Sequence, residues 1–122
     1  MNRQEIFDNL LDKLGTAQGS DGCIIVTKQG EVIAANISKG FSQDKISALV
    51  ADAVTIVNRV TNELNYGVPE TMVVESNRGK FALIHAEKAG AFIIAIGSET
   101  MNVGMLKMDL KDAIDSFDSE MN

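Results

Sequence analysis

Residues 42–66 read SQDKISALVADAVTIVNRVTNELNY, and the way this stretch spaces its apolar side chains decides the fold. Wound at about 100° per residue, Ile46, Leu49, Val50, Ala53, Val54, Ile56, Val57, Val60 and Leu64 share one arc roughly 160° wide. That arc predicts the core-facing stripe of a single long helix. Ser42 is placed to cap its start, and Asp44 lies in the first turn, where a negative charge meets the positive end of the helix dipole. Phe41 can staple against Ile46, and Gly67 followed by Pro69 predicts the stop. The opposite arc carries Ala48, Ala51, Thr55, Asn58 and Asn62, all small and uncharged, with Asp44 alone adding a charge at one end. A solvated helix face is normally rich in Lys, Glu and Arg. Small residues let another backbone approach closely, so this arc is expected to contact a second chain. The other reading is a solvent face that merely lacks charge.

Before the long helix, Ile6, Phe7, Leu10, Leu11 and Leu14 recur at helical spacing, with Asn2 as a possible cap and Gly15 ending the run. A polar, glycine-rich loop is expected from Gly15 to Gly22. Cys23–Thr27 and Glu31–Ala35 then form a hairpin around Lys28, Gln29 and Gly30, and Ser38 to Phe41 connects to the long helix. After it, three strands are predicted at Thr71–Ser76, Lys80–Ala86 and Ala91–Ile96. Turns at Asn77-Arg78-Gly79 and Glu87-Lys88-Ala89-Gly90 join them. A last helix runs from about Asn102 to Phe117, with Val103, Leu106, Leu110, Ala113, Ile114 and Phe117 inward.

The order is αββαβββα, an α+β chain whose short turns make its five-stranded sheet mainly antiparallel. Cys23–Val26 and Ala91–Ile96 are apolar at nearly every position, so both faces of each are covered and the two are expected to be central neighbours. Helices must therefore lie on both sides, in three layers: the long helix on one face, the terminal helices on the other. Thr71–Ser76 begins a meander and belongs at an edge. Met72, Val73 and Val74 there are apolar, and neither Pro nor Lys blocks the strand, so it invites pairing with another. One homodimer contact could cover this edge and the uncharged arc together.

The totals fit one domain of 122 residues with a core large enough to need no staples. A net charge of -6 disfavours nucleic acid and anionic membrane surfaces as partners. The single Cys23 sits in an apolar run, as expected of a small core residue in a reducing compartment. The start of the chain lacks an apolar signal segment, and no apolar run approaches the roughly 18 residues of a membrane span. A cytoplasmic protein without direct membrane insertion is expected.

Little in the sequence points to catalysis. His85, the only histidine, alternates with Phe81 and Leu83 and has no ligand cluster around it, so a satisfied structural histidine is expected. Cys23 has an apolar setting that raises its pKa, and no phosphate-cradling P-loop is present. Asp109, Asp112, Asp115 and Asp118 read as a solvated acidic stripe. Six methionines, among them Met101, Met105 and Met108, read as core filling or as an adaptable contact surface. No catalytic, cofactor or metal site is expected.

Several segments together resemble the roadblock/light-chain-seven family: Gly22-Cys23-Ile24-Ile25-Val26 through Gln29-Gly30-Glu31-Val32-Ile33-Ala34, the long helix, Met72-Val73-Val74-Glu75 with Gly79-Lys80-Phe81-Ala82-Leu83, and Asn102-Val103-Gly104-Met105-Leu106-Lys107. The likeness spans roughly Ile6 to Phe117, and the pair Asn102 and Gly104 is its sharpest element. It implies a fold similar to longin and profilin, and a dimer through the central helix and adjoining edge strand. Members serve as platforms or regulators for Ras-like small GTPases, or as dynein light chains; a stand-alone, prokaryote-type version is expected here.

Beside the uncharged arc, Lys45, Asp52, Arg59 and Glu63 cluster at about 220–260° on the long helix. Paired helices would make these stripes border a groove, where the resemblance places a GTPase; ordinary solvated charge is the other reading. An arginine finger needs an exposed Arg on a mobile loop. Of Arg3, Arg59 and Arg78, Arg78 alone lies at a predicted turn tip, next to the expected dimer edge, which disfavours it. Two further readings stay open: a small-molecule sensor, which predicts a polar cluster inside the core, and a light chain clamping a peptide strand at Thr71–Ser76.

Overall fold

A computed structural model describes residues 3–16, 18–38, 40–87 and 90–121, with side chains left undescribed at Arg3, Ile6, Ala113 and 116–121. The expected cap at Asn2 and turn residues Lys88 and Ala89 lie outside the described residues, and the side chains of Ala113 and Phe117, read as inward, are among those left undescribed. The elements run α1 (Arg3–Gly15), β1 (Ser20–Thr27), β2 (Val32–Ile37), α2 (Gln43–Glu63), β3 (Thr71–Ser76), β4 (Gly79–Ala86), β5 (Ala91–Gly97) and α3 (Val103–Met121). The strands form one sheet in the order β2-β1-β5-β4-β3, antiparallel at every pairing. The two strands read as wholly apolar, β1 and β5, are neighbours at its centre, and β3 is an edge.

The pleat divides the interior into two layers. Cys23, Ile25, Ile84, Ile93 and Ala95 point to one face, where they pack with Phe7, Leu10, Leu11 and Leu14 of α1 and Leu106, Leu110 and Ile114 of α3. Ile24, Val26, Leu83, Phe92, Ile94 and Ile96 point to the other, under Val50, Ile46 and Val54 of α2. The result is the three-layer arrangement, with α2 alone on one side.

Several boundaries differ from the sequence reading: β2 covers Val32–Ile37 rather than Glu31–Ala35, α3 runs on to Met121, and two others have a clear local cause. Strand β1 begins at Ser20, inside the predicted loop, because Ser20 pairs with Gly97 and Gly22 pairs with both Ile96 and Ile37. Gly22 has φ +131°, and a Cβ there would collide with the Asn36 carbonyl; the glycine marks a close strand approach rather than a loop. The end of α2 also moves. Asn65, at φ 60°, is the left-handed residue, with Tyr66 N donating to Thr61 O at 2.8 Å and Asn65 N to Asn62 O at 3.1 Å. This is a Schellman cap with asparagine in the glycine position, closed before Gly67 and Pro69. At the other end Ser42 Oγ accepts from Lys45 N at 3.3 Å, the capping geometry its sequence position predicts.

Candidate interaction surface

The long helix does not turn toward the sheet as its apolar arc predicts. Its buried residues are Ser47 and Val50, and Ile46, Ala51, Ala53, Val54, Val57, Asn58 and Thr61 are half-buried. The sheet-facing centre is therefore rotated by about 60° from Ile46 at the ideal helical step. Four residues assigned to the core are instead open: Leu49 is 59% exposed, Ile56 60%, Val60 53% and Leu64 51%. Exposed apolar area of this extent along one helix is unusual in a monomer and characteristic of an interface.

The cause of the rotation lies at the β1–β2 turn. Gly30, at φ +90°, brings that turn so close to α2 that a Cβ would stand 3.0 Å from the Ala51 Cβ and 3.2 Å from the Ser47 carbonyl oxygen. Ala51 is thus small because this chain's own hairpin rests against its side chain. Of the arc that the sequence reading gave to a second chain, Ala51 and Asn58 are half-buried, while Ala48, Thr55 and Asn62 remain exposed.

On the other flank of α2 the sheet is uncovered. The backbone of α2 comes closest to β2 and β1. A groove of about 340 Å³ opens beside it, walled by Leu49 and Ala53 and floored by Phe81, Ile94 and Ile96. Phe41, the predicted staple, lines that groove with Ile46 and is itself exposed. Five strands at ~4.8 Å spacing make a sheet about 19 Å across, which is room for roughly two helices of about 10 Å diameter. One is present. The trough ends at β3, which pairs only with β4. Met72 there is half-buried against the α2-side core, and Val73 and Val74 are exposed.

Lys45, Asp52, Arg59 and Glu63 are all exposed, on the side of α2 away from the sheet. The ion pair found among the described residues is elsewhere, between Lys80 Nζ and Glu75 Oε1 at 4.0 Å. Arg78 sits exposed in the β3–β4 turn and lines a separate groove with Asp21, Lys80 and Phe41.

His85 is not the satisfied histidine expected. Its ring stacks on Phe92 with centroids 4.7 Å apart, but its buried Nε2 has no hydrogen-bond partner among the described residues. Burial lowers its pKa, Lys28 pushes the same way, and Glu87 opposes. Cys23 is fully buried beneath α1, and burial pushes its thiol up to about 12, which makes it inert as a nucleophile. The interior between sheet and helices is apolar, with Ser47 the fully buried polar side chain among the described residues. A ligand sensor's internal polar cluster is not among them. No group of three metal-ligating side chains occurs among the described residues, and no described helix is long and apolar enough to cross a membrane.

This arrangement, an antiparallel sheet with one long helix alone on a half-covered face, defines a class. The sequence profile of the Roadblock/LC7 domain matches residues 6–97, and the chain belongs to that family. An uncharacterised protein of Methanocaldococcus jannaschii, MJ0310, is 24% identical over 110 residues, which cover 90% of this chain and 95% of that one. Among solved structures, Myxococcus xanthus MglB superposes with a TM-score of 0.87 at 13% identity, covering 99% of this chain and 98% of its own. An MglB described in a tetrameric arrangement gives 0.84 at 18% identity, covering 95% and 87%. Acanthamoeba castellanii profilin II gives 0.62 at 15% identity, covering 94% and 96%, which places the fold beside profilin as well.

Proposed function

We propose that the protein is a homodimeric, non-enzymatic platform that binds a Ras-like small GTPase and regulates or scaffolds it in the cytoplasm. The observation that carries this reading is the vacant half of the α2 face. A second copy's α2, laid over β4 and β3, would bury Leu49, Val60 and Leu64 against their counterparts. It would also bring two β3 edges together at Met72, Val73 and Val74, with Ala48, Thr55 and Asn62 left at the far flank. A two-fold interface of this kind would place the same patch on both copies. Lys45, Asp52, Arg59 and Glu63 would then run along the outer surface of the helix pair, on either side of the seam. We put the GTPase there, a reading that family membership and this charged surface support.

The test is affinity capture from extract of the source cell with GDP or a GTP analogue added, followed by mass spectrometry. Wild type is compared with a double variant, Asp52→Lys with Arg59→Glu. Recovery of a small GTPase by wild type and not by the variant supports the assignment. Recovery of none with either nucleotide overturns it.

A further inference from the structure

Helix α3 lies across the sheet from α2, so its outer side stays open whatever covers the trough. It buries Leu106, Leu110 and Ile114 on the sheet. On the opposite side Met105 is 63% exposed and Met108 68% exposed. Two long apolar side chains one turn apart, both mostly in water, are not explained by core filling. Asp112 is exposed and Asp109 half-exposed on the same outer side, while the exposed Asp115 lines a separate groove with Lys107, Lys111, Glu70 and Thr71. The carboxylates beside the methionines are thus Asp109 and Asp112, and the lysines lie toward the second groove. Next to Met105 a groove of about 370 Å³ opens between Gln18, Thr100 and the start of α3, with buried Met101 and Leu106 in its lining. It is large enough for one bulky apolar side chain.

We propose that this outer face of α3 docks a basic amphipathic helix of a partner protein. The partner's apolar residues would lie on Met105 and Met108, one of them seated in the groove, and its Lys or Arg residues would reach Asp109 and Asp112. Methionine suits such a surface because its flexible, polarisable side chain remodels around different apolar anchors. An amphipathic helix presents such anchors at three- and four-residue spacing. Charge complementarity selects the basic partner over an acidic one, since the chain carries a net charge of -6 and two of its carboxylates, Asp109 and Asp112, stand beside the apolar centre of this face. The inference goes beyond GTPase binding and does not depend on it.

The test uses the full chain labelled at its methionine methyl groups and a synthetic helical peptide of about 18 residues, leucine on one face and lysine on the other. Saturable shifts of the Met105 and Met108 signals, with Met72 unmoved, are expected. Affinity should fall about tenfold or more in the Met105→Gln, Met108→Gln variant, and a leucine–glutamate peptide should not bind. Both positions are exposed, and circular dichroism confirms that the variant is folded. Shifts centred on Met72, no saturable binding, or an affinity the double variant leaves unchanged would each overturn the proposal. So would a drop in sedimenting mass of the variant without peptide, because the face would then belong to a second copy.

Discussion

Replacing Leu49 with serine separates the two candidate contacts on α2. Leu49 is 59% exposed in the single chain, so that fraction of its burial free energy is left for a partner. Full burial of a leucine stabilises by about 1.5–3 kcal/mol, which leaves roughly 1–1.8 kcal/mol per copy. A two-fold interface contains each residue twice, and serine keeps one apolar carbon, so the dimer should lose about 2–3 kcal/mol. At 1.4 kcal/mol per tenfold, the dissociation constant rises about 30- to 150-fold. Because the smaller part of Leu49 is already buried in the single chain, chain stability should fall by only about 0.6–1.2 kcal/mol, less than the dimer loses.

Sedimentation equilibrium across a dilution series measures the dissociation constant against a chain mass of 13.1 kDa. The matched control is Thr55→Glu on the opposite flank, where a charge should leave assembly unchanged. The reasoning fails if Leu49→Ser leaves the dissociation constant within twofold while Thr55→Glu dissociates the dimer. The contact would then run along Ala48, Thr55 and Asn62, as the uncharged arc first suggested.

Three further outcomes concern stability. Asn65 holds φ 60°, so Asn65→Ala should destabilise by about 1 kcal/mol in urea denaturation, whereas Asn65→Gly should be neutral or stabilising. The Cys23 thiol, raised from 9.0 to about 12 by burial, should resist thiol reagents at pH 8 until the protein unfolds. The unfolded chain ionises first, so stability due to the neutral thiol is intact below pH 9 and declines as pH rises toward about 12. His85 has the opposite sign: its folded pKa is lowered, so its contribution is present above the ordinary 6.5 and lost as pH falls below it. His85→Phe should keep the stacking on Phe92, remove the unpartnered Nε2, and flatten the acid limb of the stability–pH profile.

The sheet was legible because its signals are local. The all-apolar runs of β1 and β5 demand cover on both faces, and short turns between strands force antiparallel neighbours. The direction in which α2 faces was not legible in the same way. Its apolar arc is wider than a sheet can cover, and periodicity cannot say which part of such an arc turns inward. That is decided by Gly30, 17 residues before Ser47 in sequence and in contact with it in space. A glycine in a hairpin turn reads locally as turn chemistry; its role as the seat for Ala51 appears only once the layers are stacked. The exposed methionines of α3 were visible as a pattern, but core filling and surface contact look alike until the helix is placed.

The charged stripe carries a pattern as well as a location. Lys45, Asp52, Arg59 and Glu63 alternate in sign along α2, spread over about 27 Å at 1.5 Å per residue. Their sum is zero, so beyond a Debye length of ~8–10 Å the stripe offers a partner almost no net attraction. What it can supply at contact is register, since a partner shifted by one charge meets like with like. Exchanging two signs, Asp52→Arg with Arg59→Asp, keeps the net charge and breaks the alternation. Within the helix this turns the Arg59–Glu63 spacing into a like-charge pair, which costs only about 0.5 kcal/mol or less. If the pattern sets the docking register, binding of the captured GTPase should fall about tenfold or more, with dimerisation and melting temperature nearly unchanged. Unaltered binding would reduce the stripe to solvated charge and move the GTPase site elsewhere on the dimer.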